Sequence, residues 1–338
     1  MDTVTLKKLA KELNLSPSTV SRALRNSHEI SQETKDRVKA LAVKLGFQPN
    51  PHASSLRQNK SKTIAVIVPE IQNNFFSGVL DGVEDMARQK EFHVLIYLTH
   101  EDQSREKGIL QVLRNGKVDG IMISVSNTTT TFEHLEAYQE AGIPLVFFDR
   151  INEQITAPRI TTDDADAAFK ATIHLYKAGC RKIAFISMAQ VLSISSQRKA
   201  GYVRALEKCG LPYEEKRVIE CGPNDQANRQ QITELLKGPL RPDGIFCAVE
   251  RFAVNTYEVC HQLGIVIPKE LKVISFSNLT AAALFDPPLS TVVQPAYDIG
   301  YKAAETLFKL IEQKKLRPAE KKLIIPSTII ERRSTSKQ

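Results

Sequence analysis

The feature that most constrains the fold is a rhythm of short apolar runs that occurs twice along the chain. Residues 63–69, 93–98, 120–124 and 145–148 are β-rich and apolar, and helix-length segments separate them. The rhythm restarts at 182–186 and continues through 218–221, 244–248 and 272–276. Strands covered on both faces read as continuous apolar runs, and their alternation with helices builds parallel sheets with helical crossovers. Two similar halves therefore predict two doubly wound lobes. A ligand cleft belongs between them, near the carboxyl ends of the strands.

The first 46 residues follow a different period. Leu6, Leu9, Ala10 and Leu13 fall at i, i+3, i+4 and i+7, the apolar stripe of a short helix that Asn14 ends. Ser16 is placed to cap a second helix, with Pro17 at its first position, where a missing N–H costs nothing. Val20, Ala23 and Leu24 then face inward, which turns Ser18, Thr19, Ser21, Arg22 and Arg25 outward. A third helix is predicted from an N-cap at Ser31, an apolar face of Val38, Leu41, Ala42 and Leu45, and a stop at Gly46. Two short helices, a tight turn and an outward face of hydroxyls and arginine describe a helix-turn-helix able to enter a major groove. An ordinary helical hairpin with a solvated face has the same spacing.

Charge separates those readings. The chain of 338 residues has a net charge of +8. Residues 1–62 hold 12 Lys and Arg against 5 Asp and Glu, so +7 of it sits there and the rest of the chain is close to neutral. Such a segment neutralises phosphates and releases counterions. Length allows two or three domains, and an apolar content of 42% with 25% charged residues is that of a soluble globular chain. No run approaches the 18 or so apolar residues that a membrane span needs, and the start of the chain lacks an apolar secretory core. The 5 cysteines (Cys180, Cys209, Cys221, Cys247, Cys260) are scattered, without C-x-x-C spacing. They are expected to be reduced and packed, with neither metal nor disulfide framework. Residues 48–62 are proline-bracketed, polar and basic, with the single leucine Leu56, and read as a linker.

Four motifs, Thr5-Leu6-x-x-Leu9-Ala10, Ser18-Thr19-Val20-Ser21-Arg22, Ser31-x-Glu33-Thr34 and Leu45-Gly46-Phe47-x-Pro49-Asn50, together resemble the LacI/GalR family of bacterial transcriptional repressors. The resemblance runs the full length of the chain. It implies an all-α helix-turn-helix headpiece at 1–47, a hinge at 48–62 and a periplasmic-binding-protein-like α/β core at 63–338. The core would consist of two doubly wound parallel-sheet lobes, the N-lobe at about 63–160 with 292–323 and the C-lobe at about 161–291 with 324–338. It further implies a cytoplasmic homodimer on double-stranded operator DNA, controlled by a small-molecule effector, with no cofactor and no membrane partner. DNA contacts are implied for Thr5, Ser16, Pro17, Ser18, Thr19, Ser21, Arg22, Asn50, Ala53, Leu56 and Arg57. In that family the hinge folds on operator DNA, and a leucine, here Leu56, wedges into the central base step of the minor groove. Ser54 stands where the family usually has arginine. The polar stretch 332–338 has no leucine heptad, so a tail-mediated tetramer is not expected.

Effector contacts are implied for Phe75, Phe76, Asp149, Arg198, Asn224, Glu250 and Ser277. Arg198 matches the family arginine that holds polar or anionic ligand groups. Two departures stand out. Val249-Glu250-Arg251 replaces the usual Asn-Asp, and Ser277 replaces an aspartate that accepts ligand hydrogen bonds. Asn224 aligns with a position where some members stack an aromatic ring. These changes favour a more anionic or larger ligand reaching Arg198 and Arg251, a protein partner, or none. Asp163, Asp164 and Asp166 read as a helix N-terminus, where acids suit the macrodipole. No phosphate-cradling glycine motif, nucleophile elbow or paired-histidine motif occurs, so catalysis is not expected. A solute-binding sensor, or an architectural DNA binder with a non-functional cleft, are the alternatives.

Overall fold

The computed structural model describes residues 5–24, 26–47, 61–114, 117–188 and 193–337. The chain divides into two compact units, 1–61 and 62–338. In the first, helices α1 (Leu6–Leu13), α2 (Pro17–Leu24) and α3 (Gln32–Lys44) enclose a core of Leu9, Ala10, Val20, Ala23, Val38 and Ala42. Asn14 ends α1 in the left-handed region (φ 54°), and Gly46, just past α3, has φ 65°. Ser31 caps α3, its Oγ accepting from Thr34 N. Lys35 is buried in this unit despite its charge.

The second unit contains both lobes. In the N-lobe, strands β1 (Thr63–Val68), β2 (His93–Leu98), β3 (Gly120–Ile123), β4 (Leu145–Phe148), β5 (Arg159–Thr162) and β11 (Lys322–Ile325) form a parallel sheet in the order β11-β5-β4-β3-β1-β2. Ile64, Val66 and Val68 pack on the helices Asn74–Gln89 and Ala296–Ile311, while Ala65 and Ile67 pack on Gln103–Leu113 and Glu133–Glu140. Period-2 alternation within one strand thus feeds two apolar layers, which is why residues 64–68 include no polar side chain.

The C-lobe repeats the plan with β6 (Ile183–Met188), β7 (Val218–Cys221), β8 (Gly244–Cys247), β9 (Lys272–Phe276), β10 (Ser290–Val293) and β12 (Thr328–Ile330), ordered β12-β10-β9-β8-β6-β7. Here β12 runs antiparallel to β10. Each lobe contains one helix pair brought together at glycine. A Cβ on Gly82 would lie 2.1 Å from the Tyr297 carbonyl oxygen, one on Gly300 2.0 Å from that of Val79, and one on Gly201 2.1 Å from that of Ala165.

The chain crosses between lobes after β5, after β10 and between β11 and β12. These points lie two to three residues beyond the expected 160, 291 and 323, so residues 161–162 and 324–325 belong to the N-lobe sheet and 292–293 to that of the C-lobe. The physical reason is that each strand completes its ladder before the chain leaves. β5 and β10 are short and mix threonine or serine with apolar residues, a weak strand signal. Residues 332–336 pack onto the C-lobe: the Ser334 hydroxyl, fully buried, donates to the Val273 carbonyl (2.7 Å) and accepts from Ser290 N (2.8 Å). Among the described residues no helix is long and apolar enough to cross a membrane.

Candidate functional site

Two surfaces hold the sequence-derived candidates. On the headpiece, Ser16 Oγ accepts from Thr19 N (3.1 Å), the N-cap bond expected of it, and shares hydrogen bonds with the Ser18 and Thr19 hydroxyls (2.7 and 2.8 Å). Thr5 caps α1 through Lys8 N. Ser16, Pro17, Ser18 and Arg22 are exposed, while Thr19 and Ser21 are half-buried. Arg22 Nη1 lies 2.7 Å from Glu29 Oε2, and both side chains are more than half exposed. The Arg22 guanidinium is therefore held on the outer face of α2 by a partner that solvent can readily replace. Asn50, Ala53, Leu56 and Arg57, with Ser54 and Arg25, lie outside the described residues.

The second surface is the inter-lobe cleft. In both sheets the order reverses at the first strand, β1 or β6, so the crevice beyond the strand ends is where a ligand fits in this architecture. A cavity of about 340 Å³ opens there. Glu70, Asn73, Glu101, Asn127 and Arg150 line it from the N-lobe, and Glu250 and Arg251 from the C-lobe. A narrow inner recess adjoins it, lined by Phe75, Arg198, Phe276, Ser277, Asn278 and Gln294. The size suits a small metabolite.

Arg198 forms part of the recess wall and is almost fully buried. Its Nε donates to Asp164 Oδ1 (2.7 Å), its Nη1 donates to the Ala248 carbonyl, and its guanidinium lies 3.7 Å from the Phe276 ring centre. Burial raises the Asp164 carboxyl to about 6, against the pull of the Arg198 charge. Asp164 lines neither cavity nor recess but positions Arg198, and the sequence did not signal it. It sits at a helix start as expected, but the 164–177 helix carries it to Arg198, 34 positions away, and no local pattern signals that pairing.

Asp149 is buried, has φ 56°, and burial raises its carboxyl while the charges of Arg150 and Arg198 oppose the rise. Gln294 approaches it without a geometrically complete hydrogen bond, which leaves the Gln294 side-chain nitrogen unpartnered among the described residues. Arg150 donates through Nη1 to both oxygens of Glu101 (2.7 and 2.9 Å), and Glu101 also accepts from Asn127 N (2.8 Å).

The structure separates the remaining candidates. Phe75 lines the recess, whereas Phe76 sits in the N-lobe core, 5.7 Å from Arg150. Asn224 does not line the cleft. Its Oδ1 accepts from Gln226 N and Ala227 N and caps the helix Asp225–Lys237, because a short amide before a helix satisfies the exposed N–H groups. Ser277 is not a site without a carboxylate: its Oγ donates to Glu250 Oε2 (2.8 Å) and accepts from Leu279 N (3.0 Å). Glu250, from the first turn of a neighbouring helix, supplies the acid that residue 277 lacks. Nor are Arg198 and Arg251 free cations, since Arg251 Nε lies 3.1 Å from Asp225 Oδ1.

Comparison with known proteins agrees with this two-part architecture. Residues 5–50 match the family model described as bacterial regulatory proteins, lacI family, and residues 172–335 match a periplasmic binding protein-like domain. The catabolite control protein A of Priestia megaterium is 30% identical over 311 residues, covering 92% of this chain and 93% of that protein. The HTH-type transcriptional repressor CytR of Escherichia coli K12 is 30% identical over 299 residues, 88% of this chain and 87% of that one. The lac repressor dimer, solved with operator and the anti-inducer ONPF, shares the fold at a TM-score of 0.87 and 20% identity, over 99% of this chain and 100% of that one. The chain belongs to the lacI family of bacterial regulatory proteins and is a helix-turn-helix transcriptional regulator.

Proposed function

We propose that the protein is a cytoplasmic repressor that binds a pseudo-palindromic operator as a homodimer and is switched by a small molecule in the inter-lobe cleft. The observation that carries this reading is the pairing of a +7 helical headpiece segment with a two-lobed core whose cavity lies at the switch points of both sheets. Relatives named as a repressor and as a catabolite control protein support it. Effector binding changes lobe closure, closure changes the spacing of the two hinges in a dimer, and hinge spacing sets DNA affinity. No catalytic step is part of the reading.

Selection of bound duplexes from a random pool, at fixed near-physiological salt, tests it. A palindrome with a central C-G step is expected, and enrichment of no sequence removes the operator assignment. Arg22→Ala should relax base preference in each half-site by about 1–3 kcal/mol, the size of a bidentate guanine contact. Leu56→Ala should lower specific binding far more than non-specific binding, and equal losses would remove the wedge.

A further inference from the structure

The cavity and its recess are lined by three carboxylates, Glu70, Glu101 and Glu250, and three arginines, and the arginines are already engaged. Arg150 is held by Glu101, Arg198 by Asp164 and Arg251 by Asp225. Glu70 and Glu250 line the same cavity from opposite lobes, both half-buried, and neither forms an ion pair among the described residues. Glu250 is oriented by the Ser277 hydroxyl at 2.8 Å. In the adjoining recess, the buried Gln294 side-chain nitrogen lies by the Asp149 carboxylate without a complete hydrogen bond. Half-buried carboxylates lose hydration without gaining a counter-charge, so a cation placed between the lobes recovers Coulomb energy that an anion would forfeit.

We infer that the effector carries a protonated amine that binds against Glu250, with Glu70 closing on it from the other lobe, and a hydroxyl or carbonyl oxygen that accepts from Gln294. This rests on the reading of the cleft as the effector site. It reverses the expectation of an anionic ligand, because Arg198 is neutralised by a buried carboxylate and Arg251 is paired with Asp225. A cavity of about 340 Å³ accommodates a compound of amino-sugar size.

The test is a thermal-shift and calorimetric titration of the full chain at constant ionic strength. The probes are neutral aldoses, their 2-amino counterparts, their phosphate esters, and the linear amines putrescine and spermidine. Saturable stabilisation is expected from a ligand that binds only the folded form. An amine should bind at least tenfold more tightly than its neutral counterpart, and that preference should fall at least tenfold in Glu250→Gln. Glu70→Gln gives the same readout if Glu250→Gln fails to fold. Tighter binding by a neutral or phosphorylated member overturns the inference and leaves the effector reading standing. Silence from every class overturns both.

Discussion

The two lobes share one plan yet hold their central arginines in opposite ways. In the C-lobe, Arg198 and Asp164 are each about 3% exposed, and the guanidinium is sandwiched between a carboxylate, a carbonyl and a ring. In the N-lobe, Arg150 is equally buried, but its closer partner Glu101 is 31% exposed in a loop, and the buried Asp149 lies 3.8 Å from its Nε. Breaking a fully buried pair strands a charge without water, whereas a half-exposed partner rehydrates. Arg198 is thus a fixed wall of the cleft, whereas Arg150 is held on one side by a carboxylate that solvent reaches.

The largest effect expected from this difference is at Arg198→Met, which leaves Asp164 buried and unpaired at a cost of about 3–5 kcal/mol. Urea denaturation measures it, and adding Asp164→Asn should recover most of the loss. The pH dependence has a definite sign. Asp164 ionises at about 6 in the fold against 3.8 ordinarily, so its contribution to stability is present below 3.8 and is lost as pH rises through 6. Removal of the guanidinium pushes the carboxyl higher still. The variant's deficit should therefore be smaller at pH 5 than at pH 7.5, and an equal deficit at both would mean that Asp164 is solvated in solution.

Where the lobes are alike, they should respond alike. Gly82→Ala in the N-lobe and Gly201→Ala in the C-lobe each drive a methyl into a backbone oxygen of the facing helix. Alanine contributes about 0.5–1 kcal/mol of helix stabilisation over glycine. A backbone contact near 2 Å cannot be relieved by a rotamer, and overpacking of about 1–3 kcal/mol wins. Both variants should melt below the wild type. A neutral result in one lobe alone would show that its helix pair can slide apart.

Legibility followed the range of the interactions. The headpiece was readable residue by residue, since caps such as Ser16 and Ser31 and the stripe of Leu9, Ala10 and Val20 act within a few positions. The strands were readable as apolar runs, except β5 and β10, whose mixed Thr and Ser content hides them. The cleft was legible only where the family resemblance reached. Arg198 reaches the recess wall as the resemblance implied, whereas Asp149 lines neither cavity nor recess, and the Asp164 partner and the Glu250–Ser277 exchange join positions 34 and 27 apart through tertiary structure alone. Asn224 shows the converse: alignment placed it in the cleft, and local capping chemistry keeps its carbonyl elsewhere.

The smallest effect sharpens the comparison most. Arg150→Met removes a buried guanidinium from beside two carboxylates: Glu101, which is already one-third exposed and retains its hydrogen bond from Asn127 N, and the buried Asp149 at 3.8 Å. The methionine stem fills much of the vacated volume beside Phe76. A loss smaller than that of Arg198→Met is expected, because the closer partner rehydrates and the 3.8 Å contact with Asp149 is not a hydrogen bond. Burial raises the Asp149 carboxyl and the Arg150 charge holds it down, so the loss should shrink at pH 5 relative to pH 7.5, as at Arg198 but by a smaller margin. A deficit as large as that of Arg198→Met would mean that the two lobes bury their pairs equally, and the contrast between their arginines would fall with it.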